Sequence, residues 1–172
     1  MKVKEADIID EWIKHSNHYT FPNTYIGHYE ADLIEITKSG YAYEYEVKLS
    51  RSDFKADAKK KWVSALHKTT INVKAELLEQ GKRVNYFYYV VPRDMISVEE
   101  IPDYAGLIYV NVSDYVKRNG DPNISFSMIR GATRLTKEKL GDKILNKSFM
   151  STYYKFHRLR TRIKELKKYY ED

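Results

Sequence analysis

The fold of this chain is decided by two short runs, Ala31–Ile36 (ADLIEI) and Tyr43–Ser50 (YEYEVKLS). Both runs are rich in the Ile, Val and Tyr residues that favour β-strands. The residues Lys38-Ser39-Gly40 between them form a turn signal, because Gly40 can adopt a positive φ at no steric cost. We therefore predict a hairpin of two antiparallel strands.

The second run places its charged residues on one face of its strand. Side chains alternate along a strand, so Glu44, Glu46 and Lys48 point the same way. Residues two apart lie roughly 6.5–7 Å from each other, so Glu46 and Lys48 can border a small site that Asp32 on the neighbouring strand also reaches. The alternative is a solvent-exposed edge strand whose ion pairs contribute little, with Asp32 capping the start of its strand.

This grouping suits metal-assisted hydrolysis. Two carboxylates and a backbone carbonyl are hard oxygen ligands for Mg²⁺ or Mn²⁺, and a nearby lysine can polarise a water that the metal has acidified. An acid, a spacer and Glu-x-Lys, here Asp32 and Glu46-Val47-Lys48, resembles the core motif of the PD-(D/E)XK nuclease superfamily. Ala31 stands where many members have a proline.

The resemblance continues beyond the core motif. Lys48–Asp57, followed by Lys61-Trp62, is similar to the segment after Glu-x-Lys in the MmcB-like branch, which is linked to DNA repair. Tyr86–Pro92 and Ile101–Val110 look like the last two core strands of such proteins. The similarity covers roughly residues 30–110.

The resemblance implies an α/β, restriction-endonuclease-like fold, with a mixed β-sheet of four or five strands flanked by helices. It also implies metal-dependent hydrolysis of nucleic-acid phosphodiester bonds, expected in DNA, during repair, replication or phage DNA metabolism. Asp32, Glu46 and the Val47 carbonyl would bind Mg²⁺ or Mn²⁺, and Lys48 would orient or activate the attacking water. Two alternatives stay open: a catalytically inactive nucleic-acid-binding or assembly module on the same fold, and a metal-free protein-interaction domain.

A glutamate on the first helix leans over the active site in many of these nucleases. Glu5 matches that position best and Glu11 is the second choice. Either residue could instead simply complement the dipole at the helix N-terminus.

Composition is consistent with a folded protein that has a polyanionic partner. The chain has 172 residues, a net charge of +6, a pI near 9.2 and no cysteine. It contains no apolar run long enough to span a bilayer and no signal-peptide pattern, so we expect a cytoplasmic protein without a membrane partner. We predict a nuclease-like domain over residues 1–146 and a basic C-terminal helix over residues 147–172.

Basic and polar side chains after the motif and on the C-terminal helix are candidate nucleic-acid contacts. These candidates are Ser50, Arg51, Lys55, Lys61, Arg158 and Arg162, with His67 as a further possibility. Each lysine could instead belong to a solvated helix face. The C-terminal helix is expected to pack on the domain or to pair with a second copy in a homodimer.

The remaining pattern supplies the other elements. The predictions are helices over 3–16, from Ser52 or Asp53 through Ala65, over Asn72–Gln80 and over 148–170, a short helix within 136–146, a loop over Asn17–Gly27, a central strand over Val84–Val91 and further strands over Gly106–Asn111 and Ser125–Ile129.

Overall fold

The computed structural model describes residues 3–57, 61–63, 70–117 and 120–171, which form a mixed α/β fold. In chain order its elements are α1 (Glu5–His15), β1 (Tyr19–Ile26), β2 (Tyr29–Ile36), β3 (Ala42–Val47), α2 (Arg51–Asp57), β4 (Lys61–Val63), β5 (Thr70–Val73), α3 (Lys74–Glu79), β6 (Tyr86–Pro92), a 3-10 turn (Val98–Glu100), β7 (Gly106–Val116), β8 (Pro122–Arg130) and α4 (Gly141–Glu171).

The main sheet has six strands in the order β1-β2-β3-β6-β7-β8. The pairs β3–β6 and β6–β7 are parallel, and the other pairs are antiparallel. The predicted mixed sheet is therefore confirmed, but the predicted number of four or five strands is wrong. The missing strand is β1, which occupies most of the expected loop over Asn17–Gly27. Pro22 and Asn23 led to the prediction of a loop, but β1 lies at the sheet edge, where proline is tolerated. Asn23 has a positive φ of 49° within this strand.

The hairpin between β2 and β3 forms as predicted. Gly40 has a φ of 86°, and its N–H donates to the Thr37 carbonyl at 2.9 Å. A Cβ on Gly141 would lie 2.7 Å from the Gly40 carbonyl oxygen, so α4 begins in close contact with this turn.

The strand β6 lies between two parallel neighbours, as its apolar sequence predicts. Its alternating side chains enter two cores. On one face Tyr88 and Val90 pack with Ile8 and Ile9 of α1. On the other face Phe87 packs in a cluster with residues of α3 and α4. The sheet is thus covered by helices on both sides.

Three predictions of helices are corrected. The helix predicted over Asn72–Gln80 is α3 and begins at Lys74, because Asn72 and Val73 lie in β5. The helix α2 is described over Arg51–Asp57, and Trp62, which was expected on its buried face, lies in β4. Ala58 and Ala65, which were expected on the same helix, lie outside the described residues. The short helix expected within 136–146 and the helix expected over 148–170 form one continuous helix, α4. The expected boundary at residue 147 therefore falls inside α4, whose first turns belong to the core through Ile144.

Within the described ranges, no helix combines the length and the apolar character that crossing a membrane requires.

Candidate functional site

Asp32 lies where β2 and β3 stop pairing. The ladder between these strands ends at the pair Leu33–Tyr45. Asp32 is the residue of β2 just before Leu33. Its carboxylate takes the place of a backbone acceptor, because the Val47 N–H donates to Asp32 Oδ2 at 2.8 Å. The predicted proximity of Asp32 to the Glu-x-Lys motif is thus present in the structure.

Glu46 and Lys48 form a buried ion pair beside Asp32. The Lys48 ammonium lies 2.6 Å from Glu46 Oε1 and 3.7 Å from Asp57 Oδ1. Glu46 is 0 % exposed and Lys48 is 5 % exposed. The alternative of a solvated edge-strand face is therefore wrong, since β3 is flanked by β2 and β6.

Two further cations reach the same face of β3 from later in the chain. Lys74, at the start of α3, lies 2.5 Å from Glu46 Oε2 and 3.1 Å from Glu44 Oε1. Arg83 donates to Glu44 through Nε at 2.6 Å and through a terminal nitrogen at 2.8 Å. We call Glu44, Glu46, Lys48, Asp57, Lys74 and Arg83 the buried charge network.

Ionisation states within the network follow from these pairs. Burial raises the pKa of Glu46, but the pairs with Lys74 and Lys48 outweigh burial and hold the pKa below its usual value. Burial lowers the pKa of Lys48, yet Glu46 and Asp57 raise it above its usual value. Lys48 is therefore an ammonium ion that can donate hydrogen bonds and offset negative charge, and it is unsuited to removing a proton from water.

Asp32 is the carboxylate that this network leaves without a cation. Lys48 pairs with Glu46 and Asp57 instead, and Asp32 forms no ion pair with any Lys, Arg or His of the described residues. Burial, and then repulsion from Glu46, raise the pKa of Asp32 from 3.8 to about 7. A divalent cation beside Asp32 would relieve both effects.

Asp32→Asn is expected to stabilise the metal-free protein by about 4 kcal/mol at pH 8, because it removes a poorly compensated charge and keeps an oxygen for the Val47 N–H. Because the pKa of Asp32 is higher in the folded protein than in the unfolded chain, the wild type is penalised only where Asp32 ionises. Below pH 3.8 Asp32 is protonated in both states and the penalty is absent, and as the pH rises to about 7 the penalty reaches its full size. The gain should therefore grow over this range and then level off.

Urea unfolding in EDTA across the pH range measures this gain. Asp10→Asn, an exposed carboxylate on α1, is the matched control and should show no such trend. Equal stability of Asp32→Asn and the wild type at pH 8 would contradict the assigned environment of Asp32.

Glu5 belongs to the same neighbourhood. Burial raises its pKa, Lys48 lowers it and Glu46 raises it again, so the side chain lies within Coulombic range of the motif. Glu11, the second choice, lies elsewhere: Lys117 binds it at 2.6 Å and lowers its pKa to about 2. Of the two glutamates, only Glu5 is close to the site.

The candidate nucleic-acid contacts after the motif are only partly available. Ser50 caps α2 by accepting from the Asp53 N–H at 3.2 Å, so the cap is Ser50 and not Ser52 or Asp53. Arg51 is half-exposed but pairs with Glu100 at 2.5 Å. Lys55 is exposed and lines a cavity of about 550 Å³ with Asp57 and Lys74 of the network.

Two other candidate nucleic-acid contacts, Lys61 and His67, cannot be placed from the described residues. The backbone of Lys61 lies in β4, but its side chain is outside the described part of the structure, as is the whole of His67.

Arg158 and Arg162 lie on an exposed part of α4 that begins near the level of Asp32. Lys155 donates to the Asn23 carbonyl at 2.6 Å, and Asn23 lies directly across the β1–β2 ladder from Asp32. The two arginines follow within the next two turns of α4. They are therefore at the same end of the sheet as the candidate site.

The donor set fits a divalent cation in part. Asp32 supplies a carboxylate without a cation, and the Val47 carbonyl lies on the residue whose N–H binds it. Glu46, however, has one lysine on each carboxylate oxygen. The described residues contain no cluster of three or more His, Cys, Asp or Glu arranged around one metal position. The site would thus rely on Asp32, on a Glu46 oxygen shared with Lys48 or released by it, and on backbone or water oxygens.

The sequence interpretation missed Asp57, Lys74 and Arg83. A signal for them existed, because Glu44 and Glu46 sit in a strand beside the fully apolar β6 and must be neutralised if they are buried. Nothing in the sequence identified which of the many basic residues would do so.

The chain matches no protein-family model and no curated protein. It is similar to the solved structure of the SPO1766 protein of unknown function from Silicibacter pomeroyi, with a TM-score of 0.62 at 16% sequence identity. The similarity covers 93% of this chain and 94% of that chain. The mixed six-stranded α/β fold is therefore shared with a known structure, at an identity that speaks for the fold alone.

Proposed function

We propose that this chain is a metal-dependent nuclease of the restriction-endonuclease-like class that hydrolyses phosphodiester bonds, expected in DNA. The observation that carries the proposal is the Asp32 carboxylate, which has no ion pair among the described residues and is held by the Val47 N–H beside the Glu46–Lys48 pair. An acid on one strand followed by Glu-x-Lys on the neighbouring strand is the arrangement that the resemblance to PD-(D/E)XK nucleases implies. DNA repair, replication and phage DNA metabolism are the processes proposed with it.

Each residue has a distinct role in this proposal. Asp32, Glu46 and the Val47 carbonyl would hold Mg²⁺ or Mn²⁺, which when bound would polarise the phosphoryl group and acidify a water molecule. Lys48, kept protonated by Glu46 and Asp57, orients that water and offsets the negative charge that develops on the phosphate oxygens. Glu5, whose pKa burial raises and which interacts electrostatically with Lys48 and Glu46, is the proposed further acid at the border of this site.

The nucleic acid would approach from the end of the sheet where Asp32 lies. Lys55 and the exposed arginines Arg158 and Arg162 are proposed phosphate contacts, because phosphate binding depends on accessible cations. Arg51 and Ser50 contribute less, since Glu100 and the α2 cap already engage them.

A second candidate is a catalytically inactive nucleic-acid-binding module. The observation that favours it is the pairing of both Glu46 oxygens with lysines, which competes with metal binding. This alternative predicts salt-dependent DNA binding with neither cleavage nor stabilisation by divalent cations.

A cleavage panel tests the proposal. We expect single-stranded, duplex or branched DNA to be cut in Mg²⁺ or Mn²⁺ and not in EDTA, with RNA as the comparison substrate. Mn²⁺ should also raise the melting temperature of the wild type at pH 8, and Asp32→Asn should lose both effects while Asp10→Asn keeps them. DNA binding without cleavage and without stabilisation by Mn²⁺ would favour the inactive binding module over the nuclease. Cleavage products that persist in Asp32→Asn would show that Asp32 is not part of the catalytic site.

A further inference from the structure

The outer half of α4 presents an apolar seam that the described chain does not cover. Over the first turns, Ile144 and Ser148 pack against the domain and are buried. The adjoining face of the helix then repeats apolar residues with the three- and four-residue spacing of a heptad. This α4 seam consists of Phe149, Phe156, Leu159, Ile163 and Leu166, which are 62%, 60%, 62%, 53% and 47% exposed.

The helix α4 extends well past Lys155, which bonds to the domain through carbonyls of β1. The chain's contact with β1 includes the Phe21–Phe149 ring pair, with centroids 6.3 Å apart, and the bonds from Lys155 to the Pro22 and Asn23 carbonyls. Sixteen residues of α4 follow Lys155, ending with Glu171, and they span about 24 Å at the α-helical rise. The α4 seam therefore begins on the face of the helix that packs against β1. Beyond Lys155 none of the described residues covers the seam.

The charges beside the seam identify the kind of partner. The charged residues at the flanking heptad positions are all basic, namely Lys155, Arg160, Arg162 and Lys167. The one acid after residue 148 in α4 before its final residue, Glu165, lies on the side away from the seam. A second copy of α4 would bring like charges together along both edges in either orientation, which opposes pairing.

We propose that the outer half of α4 binds a helix of a partner protein that has apolar residues at its heptad core positions and Asp or Glu at the flanking positions. Apolar packing would cover the seam, and the acidic edges would pair with the basic ones. Nucleic acid is a poorer fit for this surface, because Phe, Leu and Ile side chains at core spacing offer nothing to a phosphate backbone. This inference is independent of the proposed nuclease activity.

Two synthetic helical peptides test the proposal with the full-length protein. Both carry Leu at the core positions, and one has Glu at the flanking positions whereas the other has Lys. We expect the acidic peptide to bind and the basic one not to bind in fluorescence anisotropy. Leu159→Gln with Ile163→Gln should weaken the acidic peptide by at least about tenfold, while the melting temperature of the domain stays unchanged because both side chains are exposed.

Charge-reversal variants distinguish specific ion pairing beside the α4 seam from general electrostatic attraction to a basic helix. Arg160→Glu with Lys167→Glu, beside the seam, should switch the preference to the basic peptide. Arg158→Glu with Lys164→Glu makes the same change of net charge away from the seam. This variant should keep the preference for the acidic peptide, while its binding to duplex DNA becomes weaker.

Four results would overturn the proposal. They are failure of the acidic peptide to bind, equal binding of both peptides, a dimer in sedimentation equilibrium that the Leu159→Gln, Ile163→Gln variant dissociates, and duplex DNA binding that the same variant abolishes. The third result would assign the seam to a second copy of this chain, and the fourth would assign it to nucleic acid.

Discussion

Lys48→Ala lowers the single-turnover rate of cleavage by about 10²–10³-fold, the range for losing a donor that stabilises charge at the transition state. The expectation rests on the Lys48 ammonium, which Glu46 and Asp57 hold beside Asp32. Its role is confined to the transition state, so the affinity for the nucleic acid should change little. Cleavage under single-turnover conditions and binding in Ca²⁺, measured by anisotropy, separate these two quantities.

Lys55→Ala is the matched control for Lys48→Ala. Lys55 is exposed and lies on α2, so its removal should weaken binding slightly and leave the cleavage step of the bound complex intact. Circular dichroism must show that Lys48→Ala is folded, because it removes one partner of buried Glu46. A folded Lys48→Ala protein that cleaves at the wild-type rate would exclude Lys48 from the chemistry.

Arg83→Met lowers the free energy of unfolding by about 3–5 kcal/mol, because it leaves Glu44 buried with one cation fewer. Glu44 is 0 % exposed and Arg83 is 2 % exposed, and Arg83 also donates to the Ile26 carbonyl at 2.6 Å. The substitution therefore removes a paired charge and leaves a backbone acceptor without its donor. Urea unfolding followed by circular dichroism measures the loss.

A double-mutant cycle identifies the cause of that loss. If burial of the unpaired Glu44 charge dominates, Glu44→Met in the Arg83→Met background should recover part of the stability, since Lys74 keeps Glu46 as its partner. Arg93→Met, which removes an exposed arginine paired with exposed Asp94, should leave the unfolding free energy almost unchanged. Additive effects of Glu44→Met and Arg83→Met would show that the pair is not coupled.

Local sequence pattern was sufficient for the elements around the site. The strands β2 and β3, the Gly40 turn and the central place of β6 follow from period, composition and breakers, which act over a few residues. The proximity of Asp32 to Glu46 and Lys48 follows from the hairpin. These features depend on neighbours that are close in the sequence.

The burial of Glu44 and Glu46 could not be predicted in the same way. The alternating pattern of β3 predicts a polar, exposed face for Glu44 and Glu46. Its burial depends on Lys74 and Arg83, which lie in the long connection between β3 and β6, 28 and 39 residues after their partners. The strand β1 was missed for a related reason, since pairing with β2 overrides the loop preference of Pro22 and Asn23. Long-range pairing decided each of these cases.

The order in which the network's members leave the ribosome has a consequence for biosynthesis. Glu44 emerges 39 residues before Arg83, and Glu46 emerges 28 residues before Lys74. Because burying an unpaired carboxylate is costly, the β1–β3 meander cannot exclude water from this face until both cations have been made. We expect the nascent meander to stay hydrated and chaperone-accessible, and the sheet to condense only when β6 arrives with Arg83 immediately ahead of it.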